Sequence, residues 1–251
     1  MQPVLAVALT AMHQDMERLD RVALNLANAA TPGYKREIVA ARPFVDAMTQ
    51  AASNPSIDMG PIQQQPMMLV DGRPGTLKST GQPLDLALTG EGFFEIRTEN
   101  GLAYTRDGSF RKDEQGRLVT SQGHAVAGRD GDITLTTLAP TIDAAGRITE
   151  DENTARNVAA VAPHIKVVRF DDTKGMQRLG NGLLSAGAGI TTVGDADVRI
   201  RQGALENSNV STMQEMVQLM QTMRHFESVQ KVAQGYDEAL GTAIHKLGDL
   251  S

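Results

Sequence analysis

Apolar residues recur along residues 1–30 at the spacing of one helix face. Leu5, Leu9, Met12, Met16, Leu19, Ala23 and Leu26 step by 4, 3, 4, 3, 4 and 3. That is a strict heptad seam, narrower than an ordinary amphipathic face. Pro3 suits a first helical turn, Thr31 is pushed out of helical geometry by Pro32, and Gly33 follows as a stop. The pattern returns at the other end of the chain. Ser211 with Gln214 and Thr212 with Glu215 make two overlapping capping boxes. Beyond them Leu219, Thr222, Phe226, Val229, Ala233, Tyr236, Leu240, Ala243 and Leu247 step by 3, 4, 3, 4, 3, 4, 3 and 4. Met213, Met216, Val217, Met220 and Met223 widen this stripe near its start, and a Met-rich face adapts to more than one neighbour. The predicted helices run about 40 Å and about 55 Å.

Two arrangements satisfy these seams: a helical hairpin inside one globule, or a helix pair that also seeks partners outside the chain. Seven apolar side chains on one helix represent about 10–20 kcal/mol gross when fully buried. Pairing the helices covers one stripe on each. The Met cluster lies off the second seam, so a surplus remains and predicts lateral association. The same reasoning predicts that the ends of an isolated chain are largely unstructured, since a lone heptad helix lacks its partner surface.

The middle follows other periods. Residues 36–80 are broken repeatedly by Asn54-Pro55-Ser56, Gly60-Pro61, Gln65-Pro66 and Arg73-Pro74-Gly75. They read as an extended connector or disordered linker, with a short strand at Met67–Val70. Residues 81–200 read as all-β. Strands at Phe93–Arg97 and Leu102–Arg106 flank Asn100-Gly101, a hairpin-turn signal. Four of the nine aromatics, Phe93, Phe94, Tyr104 and Phe110, fall in this stretch and predict a small core there. Asp113–Leu118 and Asp143–Ile148 repeat one turn device, in which Asp bonds the backbone ahead and Gly takes the left-handed position. Neither has the carboxylates or length of a calcium loop. Further strands are expected at Ile133–Thr137, Ile165–Phe170 and Val198–Arg201. The expected fold is α+β: long N- and C-terminal heptad helices pairing as a coiled coil, with a central all-β domain. Its segments are an N-terminal helix and motif (1–35), the connector (36–80), the β-domain (81–200) and a C-terminal motif and helix (201–251).

Composition removes most chemistry. The 251 residues are 41% hydrophobic with a net charge of -6, which speaks against disorder and against a nucleic-acid partner. There is no Cys, which excludes disulfides, thiolate metal sites and cysteine nucleophiles. The five His never fall within four residues of one another, so a helical zinc pair is missing. No apolar run approaches the ~18 residues of a membrane span, and Met1-Gln2 lacks the basic start of a cleaved secretory signal. Gly180–Ser185 begins like a dinucleotide loop but has no long helix behind it, and Asp107–Phe110 is not a nucleophile elbow. Asp85, Glu91 and Glu95 are expected to be solvated, as is the loop pair Asp171-Asp172. His225 reads as a packed or rim residue of the second helix. The chain is therefore expected to be no enzyme, with no catalytic, metal or cofactor site and no small-molecule substrate.

Four segments carry a resemblance. Asn25–Lys35, with Thr31-Pro32-Gly33-Tyr34-Lys35 at its end, resembles the N-terminal signature of flagellar rod, hook and hook-associated proteins. Gly203–Val210, followed by Glu215-Met216-Val217, resembles the start of that family's C-terminal helix. Pro83–Phe94 and Tyr104–Phe110 resemble the central β-domain of its larger rod and hook subunits. The match spans nearly the whole chain in the right order. It implies export through the flagellar type III apparatus without a cleaved signal, and helical polymerisation into the hollow rod that crosses the periplasm. The implied partners are copies of the chain, other rod subunits and the export apparatus. The short connector and Thr31-Pro32-Gly33 favour the larger proximal-rod type over distal-rod or hook types. The implied assembly residues are Leu5, Leu9, Met12, Met16, Leu19, Leu26, Asn25, Asn28, Thr31, Gly33, Tyr34, Ser208, Asn209, Val210, Met216, Leu219, Phe226, Val229, Tyr236 and Leu240. Outside the family, a secreted β-scaffold hydrolase and a coiled-coil adaptor with a β reader domain are the competing classes.

Overall fold

The computed structural model describes residues 3–40, 67–150, 163–172 and 176–248. Most of the expected connector, residues 41–66, lies outside them. The chain forms two compact units, residues 1–29 with 210–251 and residues 30–209.

The first unit is a helix pair, α1 (Pro3–Ala27) and α2 (Thr212–Gly248). Asn28 N–H donates to the Leu24 and Asn25 carbonyls as α1 tightens and ends. The Ser211 carbonyl accepts from Glu215 N–H and so opens α2. The helices run antiparallel, because Asn25 meets Glu215 while Asp15 meets His225. In that register Pro3 comes opposite about residue 237, and the last three turns of α2 extend past it.

On α2 the expected seam faces the pair. Between Met213 and Ala239 the residues that are not exposed are Glu215, Leu219, Thr222, Phe226, Val229, Ala233 and Tyr236. The seam's last positions, Leu240, Ala243 and Leu247, lie on α2, but their side chains fall outside the described ones, as does that of Leu5 on α1. On α1 the contact stripe is rotated from the expected seam. Met12, Leu19 and Leu26 are half-buried, but the second line of contact is Ala8, Asp15 and Val22, while Leu9 and Met16 stay 57% and 55% exposed. Polar anchoring accounts for the rotation. The buried Asp15 carboxylate lies 2.5 Å from His225 Nδ1, and Asn25 donates to Glu215 at 3.4 Å. Turning α1 to bury Leu9 and Met16 would break both contacts.

The described residues of the second unit are organised by β-strands. Among them, the main sheet has nine strands. Along one path they run β13 (Arg178–Gly180), β14 (Leu183–Leu184), β6 (Gly101–Thr105), β5 (Phe93–Thr98), β9 (Ala125–Val126), β8 (Leu118–Thr120) and β7 (Phe110–Lys112). β12 (Val167–Asp172) pairs with the start of β5 and carries β15 (Ala188–Thr192) on its other side. A small hairpin, β10 (Thr141–Ile142) with β11 (Ile148–Thr149), and the pair β1 (Glu37–Ala40) with β2 (Met67–Val70) complete the periphery. The strand at Met67–Val70 is thus present, with a partner inside the expected connector.

Alternation along β5 places Phe94 and Ile96 in one core and Phe93 in another. The expected single aromatic core is therefore two. Phe94 meets Phe110 edge-on at 5.1 Å, while Tyr104 meets Phe170 edge-on at 4.9 Å in the other layer. Because both faces of β5 are covered, Glu95 is buried rather than solvated, and Lys166 pairs with it at 2.8 Å. Asp171 and Asp172 end β12 rather than lying in a loop.

The two Asp turns are alike. Asp113 and Asp143 accept from the Arg117 and Arg147 amides at 2.7 and 2.8 Å, and Gly116 and Gly146 both have φ 86°. The hairpin between β5 and β6 turns at Glu99-Asn100, one residue before the expected place, since Gly101 already pairs with Thr98. Asn181-Gly182, inside the apparent nucleotide loop, is a two-residue hairpin turn with both φ positive. The strand expected at Ile133–Thr137 is reduced to one isolated bridge, Thr134 with Arg117.

Chain closure joins distant segments. β16 (Ile200–Gln202) pairs with β4 (Leu86–Leu88), and β17 (Ala204–Glu206) pairs with β3 (Leu77–Ser79). Residues 201–206, expected to go with the C-terminal helix, belong to this β unit.

Candidate assembly site

In the β unit the signature segments meet around one carboxylate. Glu206 ends β17, and Lys35 Nζ donates to its Oε1 at 2.6 Å. Arg106 donates to its Oε2 at 3.2 Å, and the Gly75 amide donates to Oε1 at 2.7 Å. The Lys35, Arg106 and Glu206 side chains are 2%, 4% and 0% exposed. Arg106 reaches on to the Gly90 carbonyl at 2.8 Å and lies over the Phe93 ring. Lys35 also donates to the Arg73 carbonyl at 2.8 Å. Burial pulls Lys35 and Arg106 below their ordinary basicity, and Glu206 opposes that pull on both.

The signature motifs supply the rest of the knot. Gly33 N–H donates to the Glu206 carbonyl at 2.7 Å, with φ 67°. A Cβ at Gly33 would lie 2.1 Å from the Asp107 nitrogen, so position 33 has no room for any other residue. Tyr34 is buried beneath the Arg178 guanidinium at 4.1 Å, and Arg178 donates to Glu37 at 2.6 Å and to the Lys35 carbonyl at 2.7 Å. Asn209 links three strands of chain: its Oδ1 accepts from Arg36 N–H at 2.7 Å, and its Nδ2 donates to the Asp71 and Arg73 carbonyls at 3.0 and 2.9 Å. Its own N–H donates to the Tyr34 carbonyl. The Asp71 carboxyl is held below its usual range, chiefly by the Arg73 guanidinium that clasps it. Asp107 goes the other way: burial raises it, although Ser109 donates to it at 2.6 Å.

The expected assembly residues therefore fall into two groups. Thr31, Gly33, Tyr34, Ser208 and Asn209 belong to the β unit and its knot, with Thr31 accepting from Tyr34 N–H. Leu9, Met12, Met16, Leu19, Asn25, Leu26 and Asn28 lie on or at the end of α1, where Asn28 Nδ2 donates to the Leu24 carbonyl at 2.9 Å. Val210 precedes α2, which carries Met216, Leu219, Phe226, Val229, Tyr236 and Leu240. Met213, Met216, Val217, Met220 and Met223 are exposed on α2, and Val7, Leu9, Met16 and Leu24 on α1. Lys35, Arg106 and Glu206 were not singled out from the sequence. Their signal was a charge set among Gly, aromatic and aliphatic residues in each of the three motifs. Glu215, flanked by Met213, Met216 and Val217, carried a similar signal, whereas Asp15, among His13, Gln14, Glu17 and Arg18, carried none; both are buried in the helix pair.

Among the described residues, no group of three His, Cys, Asp or Glu stands close enough to hold a metal ion, and no helix is long and apolar enough to cross a membrane. The arrangement offers binding surfaces and buried structural ion pairs.

The chain is similar to known proteins over nearly its whole length. Residues 87–150, which include Arg106, match the family model of the flagellar hook protein FlgE/F/G D1 domain. Residues 201–245, which include Glu206 and Asn209, match that of the flagellar basal body rod FlgEFG protein C-terminal region. The flagellar basal-body rod protein FlgF of Salmonella typhimurium is 32% identical over 259 residues, covering 97% of this chain and 97% of that protein. FlgF of Caulobacter vibrioides is 31% identical over 257 residues, covering 100% of both. The rod protein FlgG of Bacillus subtilis is 29% identical over 256 residues, covering 94% of this chain and 96% of that protein. Two motif-bearing regions and relatives aligned from end to end agree: the chain belongs to the flagellar basal-body rod protein family, a structural component of the bacterial flagellum.

Proposed function

We propose that this chain polymerises helically through its terminal helices to build the torque-transmitting shaft of the rod, as the larger proximal-rod subunit. The observation that carries this reading is apolar surface left uncovered on a paired helix. Met213, Met216, Val217, Met220 and Met223 are each 43–79% exposed, although α2 already has α1 as a partner. Exposed contiguous apolar surface of this kind marks an interaction face. Leu9 and Met16 supply a second uncovered line on α1, and the last turns of α2 reach beyond α1. A neighbouring copy covers these lines on both helices. The partners are copies of this chain and other rod subunits. The subunit type rests on Thr31-Pro32-Gly33 and on the short connector, and the chain reaches the rod through the flagellar export apparatus without a cleaved signal.

Met216→Asp with Met220→Asp tests this. Both side chains face solvent in the single chain, so the variant is expected to keep its helix pair and β unit by circular dichroism and hydrogen exchange. It is also expected to abolish rods and motility in cells that depend on it. Motile cells with normal rods would overturn the reading.

A further inference from the structure

The Lys35–Glu206–Arg106 cluster contains two cations and one anion, all sealed from water. Removing the anion from such a group strands charge in a medium that solvates it poorly. Even with Glu206 in place, Arg106 Nε is buried without a hydrogen-bond partner. Chain order adds a second point. Lys35 and Arg106 lie 171 and 100 residues before Glu206, and synthesis delivers a chain from its N-terminus. Both cations therefore exist long before the carboxylate that lets them be buried. The same late segment closes the unit mechanically: β17 pairs with β3, Gly33 and Gly75 amides donate to Glu206, and Asn209 ties Arg36 to Asp71 and Arg73.

We propose that Glu206 is a charge gate on closure of the β unit: Lys35 and Arg106 keep residues 31–37, 71–79 and 85–90 from closing around them until the C-terminal motif brings in the carboxylate. The gate acts within the single chain and is independent of rod assembly. It keeps a partly delivered chain from closing prematurely and converts arrival of residue 206 into a lock. Other charges facing Lys35 do not replace Glu206. Asp71 is clasped by Arg73, and Arg178, which binds the Lys35 carbonyl, is paired with Glu37. Arg106 feels Glu91 as well, but Glu91 is exposed.

The test uses the full chain as Glu206→Gln, and as Glu206→Gln combined with Lys35→Met and Arg106→Met, followed by amide hydrogen exchange corrected for the intrinsic rate. In Glu206→Gln, the amides of residues 31–37, 71–79 and 85–90 are expected to exchange faster by on the order of a hundredfold or more near neutral pH. Raising the pH to about 9 is expected to restore part of that protection. Without Glu206 the folded-state pKa of Lys35 falls further below its unfolded value of 10.5. Between those two values folding releases a proton, so stability rises with pH. In the triple variant no cation remains to be stranded, and protection is expected to return to within about tenfold of the natural chain. Natural protection in Glu206→Gln would overturn the proposal. So would a triple variant as open as Glu206→Gln, because the hydrogen bonds of Glu206, rather than its charge, would then be what closes the unit. If Glu206→Gln does not fold at all, the triple variant decides alone.

Discussion

From Leu86 to Phe110 in the β unit, every Leu, Ile, Phe and Tyr except Leu102 is buried. Along α2 the proportion reverses: three Met and two Val are each more than 40% exposed between residues 216 and 232, and among its described side chains the buried ones are Glu215 and Thr222. The β unit completes its core internally, with aromatic rings meeting edge-on in two layers. The helix pair is held by a narrow stripe of buried and half-buried side chains and by polar contacts at Asn25–Glu215 and Asp15–His225. In this chain hydrophobicity therefore has two uses. Where it alternates on strands it makes a closed core, and on the terminal helices much of it remains available at the surface beside the paired stripe.

The contrast is open to attack from its strongest point. Phe94→Ala empties a site in the larger core and is expected to destabilise the β unit by about 3–5 kcal/mol. Urea unfolding followed by near-ultraviolet circular dichroism of the tyrosines reads it, and a loss below about 1 kcal/mol would show the core to be plastic. Leu19→Asp puts a charge into the half-buried contact between α1 and α2. It is expected to cost the helix pair about 2–3 kcal/mol while leaving β-unit protection unchanged. Hydrogen exchange separates the two, and loss of protection in β5 or β6 would show that the units are not independent. Val22→Ala removes two methyl groups from the buried line of α1, for an expected cost of about 1–2 kcal/mol. The helical signal at 222 nm against temperature measures it. An effect as large as that of Phe94→Ala would mean that the helix pair is packed as tightly as the β core.

What could be read from the sequence follows the range of the interactions. The Asp113 and Asp143 turns were legible because each is settled within five residues. The α2 seam was legible because a heptad is a local pattern. The rotation of α1 was not, since it depends on Asp15 and Asn25 finding partners on a helix 190 or more residues away. Hydrophobic spacing alone favoured Leu9 and Met16 over Ala8 and Val22. The burial of Glu95 was hidden for a related reason: its partner Lys166, and Val168, Phe170 and Met176 of the cluster around Phe93, arrive much later in the chain. The charge cluster was the least visible feature. Lys35, Arg106 and Glu206 each stand in a motif that was recognised, but only the closed topology shows that one carboxylate serves both cations.

The exposed methionines have a chemical consequence as well. Met213, Met216, Met220 and Met223 present four thioethers along one side of α2. Oxidation to the sulfoxide turns such a side chain polar, and it proceeds fastest where sulfur meets solvent. An uncovered α2 is thus open to oxidants along the side it would offer a neighbour, whereas a covered one is shielded. The oxidation state of these four sulfurs becomes a record of whether a given molecule was covered when the oxidant reached it.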